Sequence, residues 1–178
     1  MKIFPANVSL LGGAELRPLT PADVDSLHAI TNHPKIAGVI SFLSYPVPRS
    51  FADEWVQKNT TLHERVYGIF FDDDRLVGQI GVHSTKNSAE IEIGYWIGVD
   101  FWGKGIATKA TVALASELQQ LNPNLTIIAE CLPENLASLR VLEKSGFVQT
   151  NQPGHRAART RLIFNAKGNL TTAKPGLP

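Results

Sequence analysis

The residues with the clearest chemical potential lie at Trp102-Gly103-Lys104-Gly105-Ile106-Ala107-Thr108. Strand-forming residues precede this stretch, and helical periodicity follows it. The first N–H groups of a helix have no internal partners and carry partial positive charge. A glycine turn that opens a helix therefore binds phosphate oxygens through the backbone. Gly103 and Gly105 permit turn geometries and a close approach that side chains would block. Ala107 is small where the helix must pack on the strand, and Thr108 adds a hydroxyl donor. Other phosphate loops fit poorly. The triphosphate loop needs Gly, four residues, then Gly-Lys-Ser/Thr, but Gly103-Lys104 is followed by Gly105. The dinucleotide fingerprint needs a third glycine where Thr108 stands. It also needs an acidic residue roughly 20 positions further on, where this chain has Asn122 and Asn124.

A second constellation runs from Asn135 to Phe147. Asn135, Ser138 and Leu142 are spaced to share one helix face, and two polar residues beside an apolar one suit the wall of a cleft. Upstream, Glu92 stands on the strand face opposite Ile91, Ile93, Tyr95 and Ile97, and Glu90 shows the same pattern. A carboxylate such as Glu92 can take a proton from an attacking group directly or through one water. His83 and His155 are alternative bases, but a lone strand histidine is usually structural, so both stand behind Glu92. Cys131 has no visible histidine partner or electropositive setting, and packing accounts for it better than nucleophilic chemistry. Phe42, Tyr45, Phe51 and Trp55 form an early aromatic cluster.

These residues need elements to hold them. Glu15 to Leu19 reads as a first strand. Thr20, Pro21 and Asp23 give a helix start with a capping pattern, and Leu27 and Ile30 supply that helix with an apolar edge. A loop from Pro34 to Pro48 leads to Ser50 as the next cap and a helix from Phe51 to Leu62. Three strands follow: Val66–Phe71, ended by Asp72-Asp73-Asp74; Arg75–His83; and Ala89–Val99. Thr108–Leu121 is helical, Thr126–Cys131 is a strand, and Asn135–Ser145 is a helix stopped by Gly146. Phe147–Thr150 and Arg161–Asn165 close the sheet. The order predicts an α+β fold with a mixed, mostly antiparallel sheet flanked by helices. The first dozen residues and the tail from Lys167 to Pro178 read as poorly ordered ends.

The bulk properties agree with one soluble domain. The chain has 178 residues, 43% of them hydrophobic and 19% charged. Its 17 Lys+Arg against 16 Asp+Glu lack the basic excess of a nucleic-acid binder. With a single cysteine, neither an intrachain disulfide nor a cysteine zinc cluster can form. The apolar run at Val8 to Leu11 is too short for a signal-peptide core or a membrane span. Cytoplasmic residence is the expectation.

The two motifs resemble the Gcn5-related N-acetyltransferase (GNAT) superfamily, and within it the RimJ/RimL branch of ribosomal-protein N-terminal acetyltransferases. The family loop reads Gln/Arg-x-x-Gly-x-Gly/Ala. Gly105 and Ala107 match it, and Trp102 sits in the Gln/Arg position. Ile93-Gly94-Tyr95-Trp96 before the loop and Asn135 to Phe147 after it are similar to this branch. The resemblance implies a domain over 14–166 with extensions at 1–13 and 167–178. It implies acetyl-CoA as co-substrate and direct, metal-free transfer. The strands bearing Glu92 and starting near Thr126 are expected to splay into a V-shaped cofactor cleft. Ile93, Gly94, Tyr95 and Trp96 would hold the pantetheine arm by their backbone. Trp102, Gly103, Lys104, Gly105, Ile106, Ala107 and Thr108, with Asn135 and Ser138, would complete the cofactor site. Glu92 matches the family's candidate base. Where many members carry a tyrosine acid this chain has Leu142, and Ser138 matches the serine of RimL-type members. Lys109 replaces a common glutamate and adds positive charge near the phosphates. The acceptor implied is a primary amine, either a protein N-terminus or a small molecule such as an amino acid, polyamine or antibiotic. A non-catalytic acetyl-CoA sensor is the rival of another class. No nucleic-acid or membrane partner is expected, and the assembly would be a monomer or homodimer. In the family the Phe42–Trp55 stretch shapes the acceptor site.

Overall fold

Alternation of β-branched and polar residues sets the strands, and the computed structural model describes residues 3–40, 42–60, 64–71 and 73–165. Leu62, Asp72, residue 166 and the tail 167–178 lie outside the described residues. The strands are β1 Val8–Ser9, β2 Glu15–Pro18, β3 Arg65–Phe70, β4 Leu76–Ser84, β5 Glu90–Ile97, β6 Thr126–Cys131, β7 Phe147–Pro153 and β8 Thr160–Phe164. They form one sheet in the order β1-β2-β3-β4-β5-β6-β8-β7. Every neighbouring pair is antiparallel except β5 with β6. The helices are α1 Val24–Thr31, α2 Pro34–Ala37, α3 Arg49–Gln57, α4 Ile106–Leu121 and α5 Leu136–Lys144. This is the α+β architecture that the element order predicts. Among the described residues no helix is long and apolar enough to cross a membrane.

The period of two in β5 divides the core. Ile91, Ile93 and Ile97 face Leu114, Ala115 and Leu118 of α4. Trp96 faces the other way, into a second cluster with Leu27 of α1 and Ala52, Trp55 and Val56 of α3. Leu114 and Leu118 are fully buried, and truncating such a leucine to alanine costs ~2–5 kcal/mol. That packing fixes α4 against β5 and so fixes where the N-terminus of α4 points.

The structure departs from the sequence reading at several points. Residues 3–12 are not loose. Val8 and Leu10 are buried, β1 pairs with β2, and the Tyr67 hydroxyl donates to the Pro5 carbonyl at 2.7 Å. Gly12 and Gly13, with φ of 92° and 81°, turn the chain so that this short apolar stretch can add to the sheet edge. The Pro34–Pro48 loop contains α2, capped by His33, whose Nδ1 accepts from the Lys35 N–H at 3.1 Å. α3 starts at Arg49 after Pro48, and Ser50 lies inside it. Proline holds the extended φ an N-cap needs, so the cap moves upstream. α4 begins at Ile106, directly after the loop, where Thr108 was expected. Thr126–Cys131 forms as read. α5 also matches closely, with Asn135 as N-cap and Gly146 at φ 87° beyond its end.

Candidate active site

The cleft begins where two strands stop pairing. β5 and β6 share only Glu90↔Thr126, Ile91↔Ile127 and Glu92↔Ile128. Beyond these, β5 continues along β4 as far as Ile97, while β6 continues along β8 as far as Cys131. The facing edges from Ile93 and Ala129 onward therefore do not pair with each other. Main-chain groups on such edges need other partners, and an extended ligand can supply them. Gly94 sits on this edge, and a Cβ there would meet nothing within 4 Å.

The glycine loop follows a single 3-10 turn at Val99–Phe101. Gly103 and Gly105 have φ of 74° and 73°, which non-glycine residues rarely adopt. A Cβ on either would meet no protein atom within 4 Å. Their glycine character therefore serves backbone conformation and free space, not internal packing. No side chain caps α4 at Gly105, so the N–H groups of its first turn face outward. Trp102, in the position of the family's Gln/Arg, donates its indole N–H to the Ile97 carbonyl at 2.7 Å, tying the loop to the end of β5. Lys104 is exposed, with its ammonium 5.3 Å from the Phe101 ring centre. Lys109 reaches the Leu11 carbonyl at 3.5 Å, joining the helix to the β1–β2 turn.

Across the cleft, Asn135 accepts the Ser138 N–H through Oδ1 at 3.1 Å, so this oxygen is committed to the cap. Ser138 Oγ lies 3.1 Å from the Tyr95 hydroxyl, which also donates to the Ser138 carbonyl at 3.3 Å. Tyr95 thus bridges β5 to α5. Sequence reasoning used only its backbone, because nothing local marks a phenol for a partner 43 positions away. Burial raises its pKa above the ordinary phenol value, with the Ser138 bond opposing. Leu142 is buried in the core. Cys131 is buried too, and burial pushes its thiol up while Ser138 pulls it down.

The other face of β4 and β5 carries a separate set of groups. The register places Gln79 beside Trp96, Gly81 beside Gly94, and His83 beside Glu92. Trp55 of α3 stacks against Phe42 and Phe51 and lies tilted against Trp96, with ring centres 5.6, 5.4 and 5.3 Å away, and donates to Gln79 Oε1 at 3.3 Å. Trp55 is buried, whereas Phe42 is 54% and Tyr45 57% exposed. The aromatic cluster is thus core at its base and surface at its rim.

Glu90 and Glu92 differ more than their pattern suggested. Glu90 is buried, held by Arg161 and by His155 Nε2 at 2.6 Å. The matching exposure expected for Glu90 and Glu92 is therefore overturned, because β8 and the β7–β8 connection cover Glu90. Glu92 remains partly open and is paired with Arg156, which also contacts Glu130. Burial raises the Glu92 carboxyl above its usual range, Arg156 opposes this, and Glu130 adds to it. His155 is therefore a hydrogen-bond partner of Glu90. Arg156 and Glu130 were missed in the sequence. Their only signal was the basic run His155-Arg156-x-x-Arg159-x-Arg161 among three scattered glutamates.

Fold and site together define a coenzyme A-type acyltransferase scaffold, and the comparisons agree. The family model described as acetyltransferase (GNAT) domain matches residues 14–148, and the chain belongs to that family. The ribosomal-protein-serine acetyltransferase of Escherichia coli (strain K12) is 31% identical over 97 residues, 52% of this chain and 54% of that protein. The chain thus spans about half the length of that relative. Among solved structures, the RimL ribosomal L7/L12 α-N-protein acetyltransferase in complex with coenzyme A has a TM-score of 0.76. It is 19% identical, with 88% of this chain and 96% of that chain covered. AAC(6')-Ib in complex with ribostamycin and coenzyme A also has a TM-score of 0.76. It is 17% identical, with 92% and 99% covered. These two likenesses establish the fold, and the relatives agree with the RimJ/RimL-like branch.

Proposed function

We propose that this protein is an acetyl-CoA-dependent N-acetyltransferase acting on a primary amine by direct transfer. The observation that supports this most is the parting of β5 from β6 beside the uncapped N-terminus of α4. One feature offers main-chain groups to a pantetheine arm, and the other offers N–H groups to a pyrophosphate. The residues fit the group, because a Cβ at Gly94, Gly103 or Gly105 would project into open space. Acetyl-CoA supplies an acyl thioester that a neutral amine can attack.

In this reading Gly103 to Thr108 bind phosphate oxygens, with Lys104 adding screened attraction. Trp102 holds the loop, and Ile93 to Trp96 offer backbone groups to the arm. Asn135 fixes Ser138 through its cap. Ser138, held in place by the Tyr95 hydroxyl, donates a hydrogen bond toward the sulfur as charge develops there. Glu92 faces the amine side, where its carboxylate attracts the ammonium form and assists loss of its proton.

For the acceptor we favour the α-amine of a protein N-terminus. The E. coli relative supports this, and the exposed rim at Phe42 and Tyr45 leaves room for a chain to approach. A small-molecule amine is the second reading, supported by the stacked aromatic wall of Phe42, Phe51 and Trp55. The test is a screen of N-terminal peptides and small amines with acetyl-CoA, following release of free thiol. Turnover of serine-initiated peptides over free amines supports the first reading, and the reverse supports the second. Tight acetyl-CoA binding with no thiol release for any amine would mark a binding-only protein and end the enzymatic reading.

A further inference from the structure

His83 lies on β4, on the face it shares with Gly81, and its Nδ1 is 3.3 Å from Glu64 Oε1. An ionised carboxylate can only accept a hydrogen bond, so Nδ1 carries the proton and Nε2 keeps its lone pair. The ring folds along the strand over Gly81, where an added Cβ would lie 2.6 Å from Nε2. Gly81 is paired in register with Gly94, and the space above Gly94 is open. Nε2 therefore stands at the edge of a gap that two facing glycines create. This gap adjoins the point where β5 and β6 part. Among the described residues Nε2 has no hydrogen-bond partner, and 19% of the side chain is exposed.

The surroundings are those of a held base. The Trp55 ring centre is 5.6 Å from the imidazole. Glu64 comes from the segment entering β3, and Lys58, from the turn after α3, lies 3.7 Å from its other oxygen. Glu92 is the cross-strand neighbour on β5, with Arg156 of the β7–β8 connection upon it. Among the described residues the charged groups around His83 are thus Glu64, Lys58, Glu92 and Arg156. Glu92 is already engaged by Arg156, whereas Nε2 of His83 keeps a lone pair that can accept a proton.

We propose that His83, oriented by Glu64, receives the proton of the acceptor's ammonium group, while Glu92 holds that ammonium from the facing strand. The inference rests on the acetyl-transfer reading above. The N–H bond of the ammonium breaks, its electron pair stays on nitrogen, and the proton passes to Nε2. The resulting imidazolium keeps its Nδ1–H on Glu64. The neutral amine attacks the thioester carbonyl and the C–N bond forms, the C–S bond breaks with its pair going to sulfur, the excess proton left on nitrogen passes to that thiolate to give the free thiol, and His83 releases its own proton to water before the next turnover. His83 is then a catalytic residue and Glu64 a positioning residue.

The experiment uses the full chain, acetyl-CoA and the panel of N-terminal peptides and small amines, with kcat/KM followed from pH 6 to 10. His83→Gln should lower kcat/KM by ~10²-fold or more near neutral pH. The deficit should shrink above pH ~8, where the amine loses its proton unaided. Gly81→Ala keeps the histidine but displaces its ring, and should lose rate in the same pH-dependent way. Glu64→Gln should lose less and shift the profile. Acetyl-CoA affinity by calorimetry, unchanged in each variant, shows that the fold is intact. If both His83→Gln and Gly81→Ala follow the wild-type profile, the proposal is overturned while the acetyltransferase reading stands. If the wild type binds acetyl-CoA but turns over no amine, both fall.

Discussion

The proposed phosphate-binding role of the glycine loop can be tested by placing a methyl group where no protein atom objects. Gly105 is the N-cap of α4 at φ 73° and ψ 6°, and a Cβ there would meet nothing within 4 Å. Gly105→Ala therefore introduces no clash in the free protein, and thermal stability should change little. What changes is the backbone preference. An L-residue in the left-handed region costs roughly 1–2 kcal/mol. The free variant relaxes away from that conformation, and the ligand must restore it on binding. At about 1.4 kcal/mol per tenfold, acetyl-CoA affinity should fall ~5–30-fold. Gly105→Val should fall further, because its branches also occupy the space a phosphate needs. Lys104→Ala removes an exposed cation and should cost only a few-fold, less at high salt. Isothermal calorimetry on folded variants reads all three. Wild-type affinity in Gly105→Ala and Gly105→Val would refute the backbone-donor reasoning. A Lys104→Ala loss exceeding both would move the site to the side-chain cation.

Glu92→Gln should be most harmful near neutral pH and recover as pH rises, since the free amine no longer needs an ammonium partner; a flat deficit in kcat/KM would demote Glu92 to a structural role. Ser138→Ala should lower kcat by a similar factor at every pH, because leaving-group stabilisation is independent of the amine, and pairing it with Tyr95→Phe should reveal non-additivity. Phe42→Ala and Tyr45→Ala should raise the acceptor KM and leave that for acetyl-CoA unchanged, whereas buried Trp55→Ala should first lower the melting temperature. Burial alone would raise the Asp23 carboxyl, but Arg17 and Thr20 together hold it below its usual range. Its stabilisation is therefore present above pH ~4 and fades as pH falls through the lowered value. Asp23→Asn should cost about 1–2 kcal/mol in neutral urea melts, with the difference vanishing in acid.

What the sequence carried is local, and what it hid is distant. The glycine turn, Thr126–Cys131 and the Asn135 to Gly146 helix with its two caps were legible, because each depends on residues within a few positions. The β5 faces were legible too, since a period of two needs no partner. The contents of the faces were not. Glu64 and His83 are 19 positions apart and Arg156 and Glu92 are 64 apart, brought together only by register and by the β7–β8 connection. His83 read as an isolated strand histidine because its carboxylate lies on another element. Glu90 read like Glu92 because the strand that covers it comes 71 residues later. β1 was overlooked because two residues are too few to show alternation.

The sheet is two plates joined by an isthmus. One plate is β1 to β5 and the other is β6, β8 and β7, and only three residue pairs of parallel ladder connect them. Side chains also span this neck: Arg161 and His155 reach Glu90, Arg156 reaches Glu92, and Tyr95 reaches Ser138. So short a ladder leaves the plates held mainly by these side chains and by the core beneath α4, where Ile91 and Ile93 of one plate share a buried cluster with Ile127 and Leu162 of the other.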